Sequence, residues 1–347
     1  MVETKNKVRW GILGTGNIAN NFVKAINGST TSELVAVASR NEESARKFSE
    51  KHKVTNYYSS YNDLLNAPDI DVVHIALPHN LHAEWSINAA RAGKNILCEK
   101  PAAIHYQTIL KVIEEVKKNN VFYMEAFMYR CHKQTKTLIA MLKDKVIGDV
   151  KLIEASFCYH AFFSADEIEK RKLNGGGGIL DVGCYPLSMA RMIAAIENNV
   201  DSIMPEEIQG MAHIGTDSEY DEWATANLKF KGNILAQIST AVSLEHRNDL
   251  RIFGSQGSIY IPSPWLPGGR EAGTTSIFLK KTGAPEIEEI KITTDIGLYS
   301  QEVDTVADNL LRRQAEEMSW QDTLDNMHTL ELWKKDVGVK QVQDSCN

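Results

Sequence analysis

The sequence has no CxxC pair, no internal repeat, no low-complexity tract and no excess of positive charge. Five cysteines, Cys98, Cys131, Cys158, Cys184 and Cys346, are odd in number and widely spaced. That argues against a disulfide framework or a zinc knuckle and favours a reducing compartment. Lys and Arg number 38 against 45 Asp and Glu, for a net charge of −7. A mildly acidic chain is a poor match for polyanions, so neither nucleic acid nor an anionic membrane is an expected partner. The most apolar stretch, Ile179 to Ile196, contains Asp181 and Arg191 and is too polar for a membrane span. Met1 to Arg9 is charged and polar and opens directly into an apolar strand, so no signal peptide is expected. These absences together predict a cytoplasmic protein.

What is present has the composition of an ordinary soluble protein and says nothing yet about chemistry. Hydrophobic residues at 43% and charged residues at 24% indicate a soluble globular chain, and 347 residues suggest two domains. Up to about residue 125, short apolar runs alternate with amphipathic stretches. Strands are predicted at Val8–Leu13, Glu33–Ser39, Asp71–Leu77, Asn95–Cys98 and Val121–Glu125. Helices are predicted at Asn17–Ile26, Glu42–His52, Tyr61–Asn66, Leu81–Ala92 and Tyr106–Lys118. Strands without polar alternation are buried on both faces, and repeated βα units predict a doubly wound parallel sheet, a Rossmann domain over residues 1–125.

The remainder, 126–347, reads differently. Val150–His160, Glu222–Phe230, Ile234–Val242, Leu250–Gly254 and Ser258–Ile261 are strand-like runs joined by short polar turns such as Lys231-Gly232-Asn233. This predicts an α/β domain with a mostly antiparallel open sheet. Two helices, Ser300–Glu317 and Thr323–Lys335, close the chain and are free to pack back on the first domain.

Gly14, Gly16 and Ala19 form a G-x-G-x-x-A pattern that follows the first strand and opens the first helix. In that context Gly14 allows the tight turn and Gly16 lets a pyrophosphate approach. Ala19 keeps the helix close to the strand. Thr15, Asn17 and Ile18 complete the loop, whose helix N-terminus holds phosphate. The competing reading is a βα turn with no ligand. The second strand runs into Ser39 and Arg40 with no acid at its tip. A hydroxyl and a guanidinium suit a 2′-phosphate, so NADP(H) is expected over NAD(H). Glu42 and Glu43 belong to the first turn of the next helix, where the dipole favours them.

Two further motifs stand where ligands bind in such folds, Leu77 to His82 after the third long strand and Glu99-Lys100-Pro101 after the next; a third, the glycine run Gly175–Gly178 leading to Asp181 and Tyr185, lies in the second domain. With the glycine loop, they resemble the Gfo/Idh/MocA family, the glucose–fructose oxidoreductase and inositol dehydrogenase group. The resemblance runs from Lys7 to about Gly338. It is strongest to the branch of dimeric dihydrodiol dehydrogenase and the NADP-dependent D-xylose 1-dehydrogenases. Val35–Arg40, Glu125–Arg130 and Ile261–Trp265 support that branch.

The resemblance implies an oxidoreductase acting on CH–OH groups of a sugar, polyol or cyclic diol, assembled as a homodimer or higher homo-oligomer through its second sheet. It implies that Lys100 and an acid/base residue meet the substrate oxygen beside the nicotinamide. Where inositol dehydrogenases end their D-x-G-x-H motif in histidine, this chain has Tyr185. An unperturbed tyrosine has a pKa of about 10 against about 6.5 for histidine. Lys100 is therefore expected to lower the Tyr185 pKa and to stabilise oxyanion character. Asp181, four residues earlier, is expected either to bind a substrate hydroxyl or to orient Lys100, with a plain helix-start acid as the alternative. Leu77, Pro78, Asn80, His82, Glu99 and Tyr299 match cofactor-side positions of the family, and Tyr159 and Trp265 are candidates for an apolar substrate wall. No metal is expected, because His74, His79 and His82 lack a completing ligand. Cys184 is a site of alkylation only if exposed. The rival readings are a non-catalytic NADP(H) sensor and a reductase of a dicarbonyl or anhydro-ketose.

Overall fold

The structure is a computed structural model that describes residues 7–340, 342, 344 and 345; Cys346 and the first six residues lie outside it. Strands β1 (Val8–Leu13), β2 (Ser32–Ala38), β3 (Asn56–Tyr58), β4 (Val72–Ile75), β5 (Asn95–Glu99) and β6 (Tyr123–Ala126) form one parallel sheet. Its order is β3-β2-β1-β4-β5-β6. Helices α1 (Asn17–Gly28), α2 (Glu42–His52), α3 (Tyr61–Asn66), α4 (His79–Arg91) and α5 (Tyr106–Asn119) connect them. All four residues of β4 are buried, the consequence of helices covering both faces. The observed strand is shorter than Asp71–Leu77 because Leu77 and Pro78 already turn toward α4.

Two helices that periodicity did not single out, α6 (Met128–Cys131) and α7 (Lys133–Lys143), lead to the second sheet. That sheet contains β7 (Val150–Cys158), β8 (Glu207–Ile214), β9 (Asp221–Phe230), β10 (Ile234–Ala241), β11 (Leu250–Gly254), β12 (Gly257–Ile261), β13 (Gly273–Lys281) and β14 (Glu288–Thr294). The order is β14-β13-β12-β11-β7-β10-β9-β8. All neighbours are antiparallel except β7 and β10, which run parallel in the centre. The parallel pair follows from a long excursion between β7 and β8 that holds α8 (Ala165–Leu173), a π-helical turn (Ile179–Gly183) and α9 (Cys184–Glu197). A connection of that length removes the hairpin constraint.

The stretch from Ile179 to Glu197 is long and apolar enough to cross a membrane, yet 89% of it is buried inside the fold. It is the core helix under the second sheet, and its Arg191 bonds Asp322 at 2.7 Å and the Ile203 carbonyl at 2.9 Å. The chain ends in α10 (Leu298–Asn309) and α11 (Trp320–Asp336). α10 stops eight residues short of Glu317, through a 3₁₀ turn and Arg313 at φ 67°. It lies on the first domain: Ser300 donates to the Ala25 carbonyl, and Asp304 accepts from Ser29 and Thr31. The four described cysteines are free and buried.

Candidate active site

In the strand order, β1 and β4 are neighbours whose connections leave in opposite directions, which opens a crevice at their carboxyl ends. A cleft of about 520 Å³ lies there, bordered by Gly14, Thr15 and Gly16 after β1, Ser39 and Arg40 after β2, and Leu77 and Pro78 after β4. Gly14 has φ 106°, and a Cβ at that position would strike the Ala76 carbonyl. A Cβ on Gly16 would meet nothing within 4 Å, so that side of the loop faces open space. Gly16 caps α1 without a side-chain acceptor, which leaves the first-turn amides, those of Asn17 and Ile18 among them, to a ligand. These features fit the pyrophosphate of a dinucleotide.

Arg40 is exposed and Ser39 half-buried at the far end of the cleft. The Arg40 guanidinium faces the Tyr61 phenol, where it opposes the upward shift that burial imposes. Glu42 and Glu43 sit in the first turn of α2, capped by Asn41.

The second part of the site joins the two sheets. β5 delivers Glu99 and Lys100, and the Lys100–Pro101 peptide is cis. Lys100 Nζ donates to the Asp181 carbonyl at 2.5 Å and lies 3.4 Å from Asp181 Oδ1. Asp181 Oδ2 accepts from the Tyr159 hydroxyl at 2.5 Å and from Arg171 Nη2 at 2.9 Å. Burial pushes the Asp181 carboxyl up, but Lys100, Arg171 and His79 together with the Tyr159 hydrogen bond reverse it and hold the group below the usual carboxylate range. Burial likewise pulls Lys100 down, and the charge of Asp181 leads the contributions that raise it. At neutral pH the pair is ammonium and carboxylate.

Tyr185 packs edge-on against Phe127, Phe157 and Trp265, and is 5% exposed. Lys100 Nζ stands 5.4 Å from its ring centre, and the Tyr185 hydroxyl donates to Met128 Sδ at 3.5 Å. Burial pushes the phenol well above the usual tyrosine range, reinforced by Tyr299, Cys184, Glu99 and Glu302. The expected lowering by Lys100 is therefore absent: the ammonium faces the ring and spends its hydrogen bonds on Asp181. Tyr299 is half-buried on α10 and close enough to Tyr185 and Glu99 for their charges to couple.

Several sequence candidates have structural partners of their own. His82 is wholly buried, with Nδ1 2.7 Å from the Pro101 carbonyl and Nε2 2.7 Å from the Leu77 carbonyl. It ties together the loops that carry Pro78 and Lys100 rather than lining the cleft. A neutral imidazole donates to only one of these carbonyls, and burial lowers its pKa. Trp265 is 2% exposed and donates to the Ser156 carbonyl at 2.8 Å, so it is a packing residue behind Tyr185 and not a substrate wall. Asn80 is half-buried, and its carbonyl accepts from the Ser345 amide. Glu99 is buried and pairs with His74 at 3.0 Å. Cys184 is buried, which raises its thiol to about 12 and makes it a poor nucleophile. His74, His79 and His82 have separate hydrogen-bond partners, and the His79 and His82 rings lie 5.7 Å apart, centre to centre.

Sequence reasoning missed Arg171 and the role of His79. His79 lies 3.2 Å from the Gly175 carbonyl, and burial drops its pKa to about 3, so it is neutral beside Asp181. The signal for α8 was present: Ser164-x-x-Glu167 is a capping box, and both of its hydrogen bonds form.

A dinucleotide cleft after β1, together with a buried lysine–aspartate pair after β5, fits an NAD(P)-binding oxidoreductase. Residues 8–127 match the oxidoreductase family model with an NAD-binding Rossmann fold, and residues 135–260 match the GFO/IDH/MocA C-terminal domain. The chain is 34% identical over 264 residues to trans-1,2-dihydrobenzene-1,2-diol dehydrogenase of Xenopus tropicalis, covering 75% of this chain and 77% of that one. It is 32% identical to an uncharacterized oxidoreductase of Rhizobium meliloti, covering 75% and 76%. In three dimensions it is similar to a 3-ketoreductase from Actinomadura kijaniata in complex with NADP and TDP-benzene. That match has a TM-score of 0.85 at 23% identity and covers 96% of this chain and 98% of that one. The chain belongs to the Gfo/Idh/MocA oxidoreductase family.

Proposed function

We propose that this protein is an NADP(H)-dependent oxidoreductase that moves a hydride between nicotinamide and a carbinol or carbonyl carbon of a sugar, polyol or cyclic trans-diol. The observation that carries this reading is the Lys100–Asp181 pair, which sets a permanent ammonium beside Tyr185 where the two sheets meet. Similarity to a dihydrobenzenediol dehydrogenase supports the diol class.

When bound, NADP(H) supplies the C4 position that takes or gives the hydride. Gly14, Thr15, Gly16, Asn17 and Ile18 would hold its pyrophosphate, and Ser39 and Arg40 its 2′-phosphate. Leu77, Pro78, Glu99 and Tyr299 would serve the nicotinamide side. Lys100 binds the reacting substrate oxygen and stabilises negative charge on it. Tyr185 gives a proton from its hydroxyl to that oxygen in reduction and takes it back in oxidation. Asp181 keeps Lys100 charged and aimed, and Tyr159 orients the substrate beside it. Lys100 and Tyr185 both hold their protons at neutral pH, which favours carbonyl reduction there. The Rossmann portion, 1–125, carries Lys100, and the portion 126–347 carries Asp181 and Tyr185.

The test is turnover with NADP⁺ and NADPH across pentoses, inositols, cyclic diols and dicarbonyls. Tight NADP(H) binding without turnover of any of them would replace this reading with a nucleotide sensor.

A further inference from the structure

We propose that Arg171 is a positioning residue, a latch that ties an otherwise solvent-facing helix to Asp181 and thereby fixes Lys100. The proposal rests on the role given to Lys100 above. A surface helix held by packing buries an apolar stripe, but α8 buries none of its nine residues. Of the apolar side chains in and beside it, Phe162 is 90% exposed and Leu173 69%, while Phe163 and Ile168 are half-buried. Gly175 and Gly177 follow it at φ 76° and 115°, backbone conformations that let the segment turn sharply into the π-helical turn carrying Asp181.

What holds α8 inward is one guanidinium. Arg171 Nη2 pairs with Asp181 Oδ2 at 2.9 Å, and the guanidinium carbon lies 4.4 Å from the Phe163 ring centre and 5.6 Å from that of Tyr220. The other tie, Lys172 to Glu219, is a 3.6 Å contact at the surface. Arg171 Nε is buried and has no acceptor among the described residues. An arginine serving only the surface would turn toward water; this one stays inside with a donor unmet, a cost that its pairing with Asp181 must outweigh.

The geometry explains why the pairing matters for the site. Asp181 divides its carboxylate, with Oδ2 taken by Arg171 and Tyr159 and Oδ1 left toward Lys100. With Oδ2 fixed, Oδ1 and the Asp181 carbonyl together define where the ammonium stands. Without Arg171 only the Tyr159 hydroxyl restrains Oδ2, and the carboxylate gains room to turn and draw Lys100 away from the substrate oxygen.

The experiment combines hydrogen exchange with steady-state kinetics on the full chain and its Arg171→Met, Arg171→Lys and Asp181→Asn variants. Arg171→Met is expected to speed amide exchange across Ala165–Leu173 and to lower kcat by about tenfold or more, with the cofactor KM unchanged. Arg171→Lys, which keeps the charge but not the fork, recovers part of both. Unchanged exchange in α8 overturns the latch whatever the activity does. Faster exchange with kcat intact overturns the link to Lys100. If the wild-type protein turns over no compound of the panel, the functional reading fails, and the latch is judged by whether Asp181→Asn loosens α8 as Arg171→Met does; no loosening overturns it.

Discussion

Burial acts on Lys100 and Tyr185 in opposite senses, and the partner of each decides the outcome. Lys100 is kept charged because Asp181 accompanies it, whereas Tyr185 is kept neutral by burial, reinforced by Tyr299, Cys184, Glu99 and Glu302, with its hydroxyl bonded to the Met128 sulfur. Lys100→Met should lower kcat by roughly 10²–10³-fold, the usual cost of losing one donor to a developing oxyanion, with NADP(H) affinity measured by fluorescence titration preserved. A sign follows for pH. Oxidation requires a proton acceptor, and both groups lose their protons only above the ordinary lysine and tyrosine ranges, so kcat for oxidation should rise with pH through pH 9 while reduction does not. An oxidation profile that peaks near neutrality would show that another group accepts the proton. Arg40→Ala should raise the KM for NADP⁺ by about 10–100-fold and leave that for NAD⁺ nearly unchanged, since a charge-assisted bond to phosphate is worth about 1.5–3 kcal/mol. The motif residues were legible because short loops after strands advertise themselves; Lys100, Asp181 and Tyr185 do come together. Arg171 was not, because on an exposed helix it is one cation among Lys170, Arg171 and Lys172, and only the three-dimensional approach to Asp181 distinguishes it.

At the scale of elements, burial decided what the sequence could announce. β1, α2 and α3 appear at the residues expected, because apolar runs with capping residues at their ends leave little choice. β8, β13 and β14 were missed: β8 alternates half-buried and exposed residues with Met211 on the outer side, and β14 is mostly polar, so neither looks like core. The short β6 shows the reverse, a fully buried strand that contains a carboxylate. Glu125 accepts from the Ala102 amide at 2.9 Å, its other oxygen has no partner among the described residues, and burial raises its pKa to about 8. A carboxyl raised on folding stabilises fully below its unfolded pKa of about 4.3 and loses that contribution as pH climbs toward the folded value. Glu125→Gln keeps the acceptor and removes the titration. Its melting temperature should therefore change less between pH 5 and pH 8 than that of the wild-type protein, in calorimetry at both pH values. Parallel pH dependence of the two proteins would mean that Glu125 stays ionised in the fold.

For the whole molecule, the second sheet leaves one face uncovered among the described residues, with α9 packed against β7 and β10, and α11 against β8, on the other. Along the open face Met211, Trp223, Leu235, Phe253 and Tyr260 are 80, 39, 50, 36 and 36% exposed. Eight strands at about 4.8 Å spacing and about 20 Å length make a surface of roughly 800 Å², the size of one side of a standard protein interface. A twofold pairing of this face with its copy would bury those side chains, and the polar outer residues Thr225, Asn227 and Gln237 between them suit an interface that is not wholly apolar. The charged margin argues for limits to the contact: Lys280, Glu289 and Lys291 are exposed at the β13–β14 side, where a like-charged copy is not welcomed. The expectation is a dimer by light scattering that Leu235→Asp, with a carboxylate among the apolar side chains of the face, splits into monomers. Lys291→Asp, at the margin, should leave it intact. Lys100 and Asp181 lie within one chain, so the monomeric variant should keep its NADP(H) affinity. A monomeric wild-type protein, or a Leu235→Asp dimer as tight as the native one, would place the interface elsewhere and leave the apolar face needing another occupant.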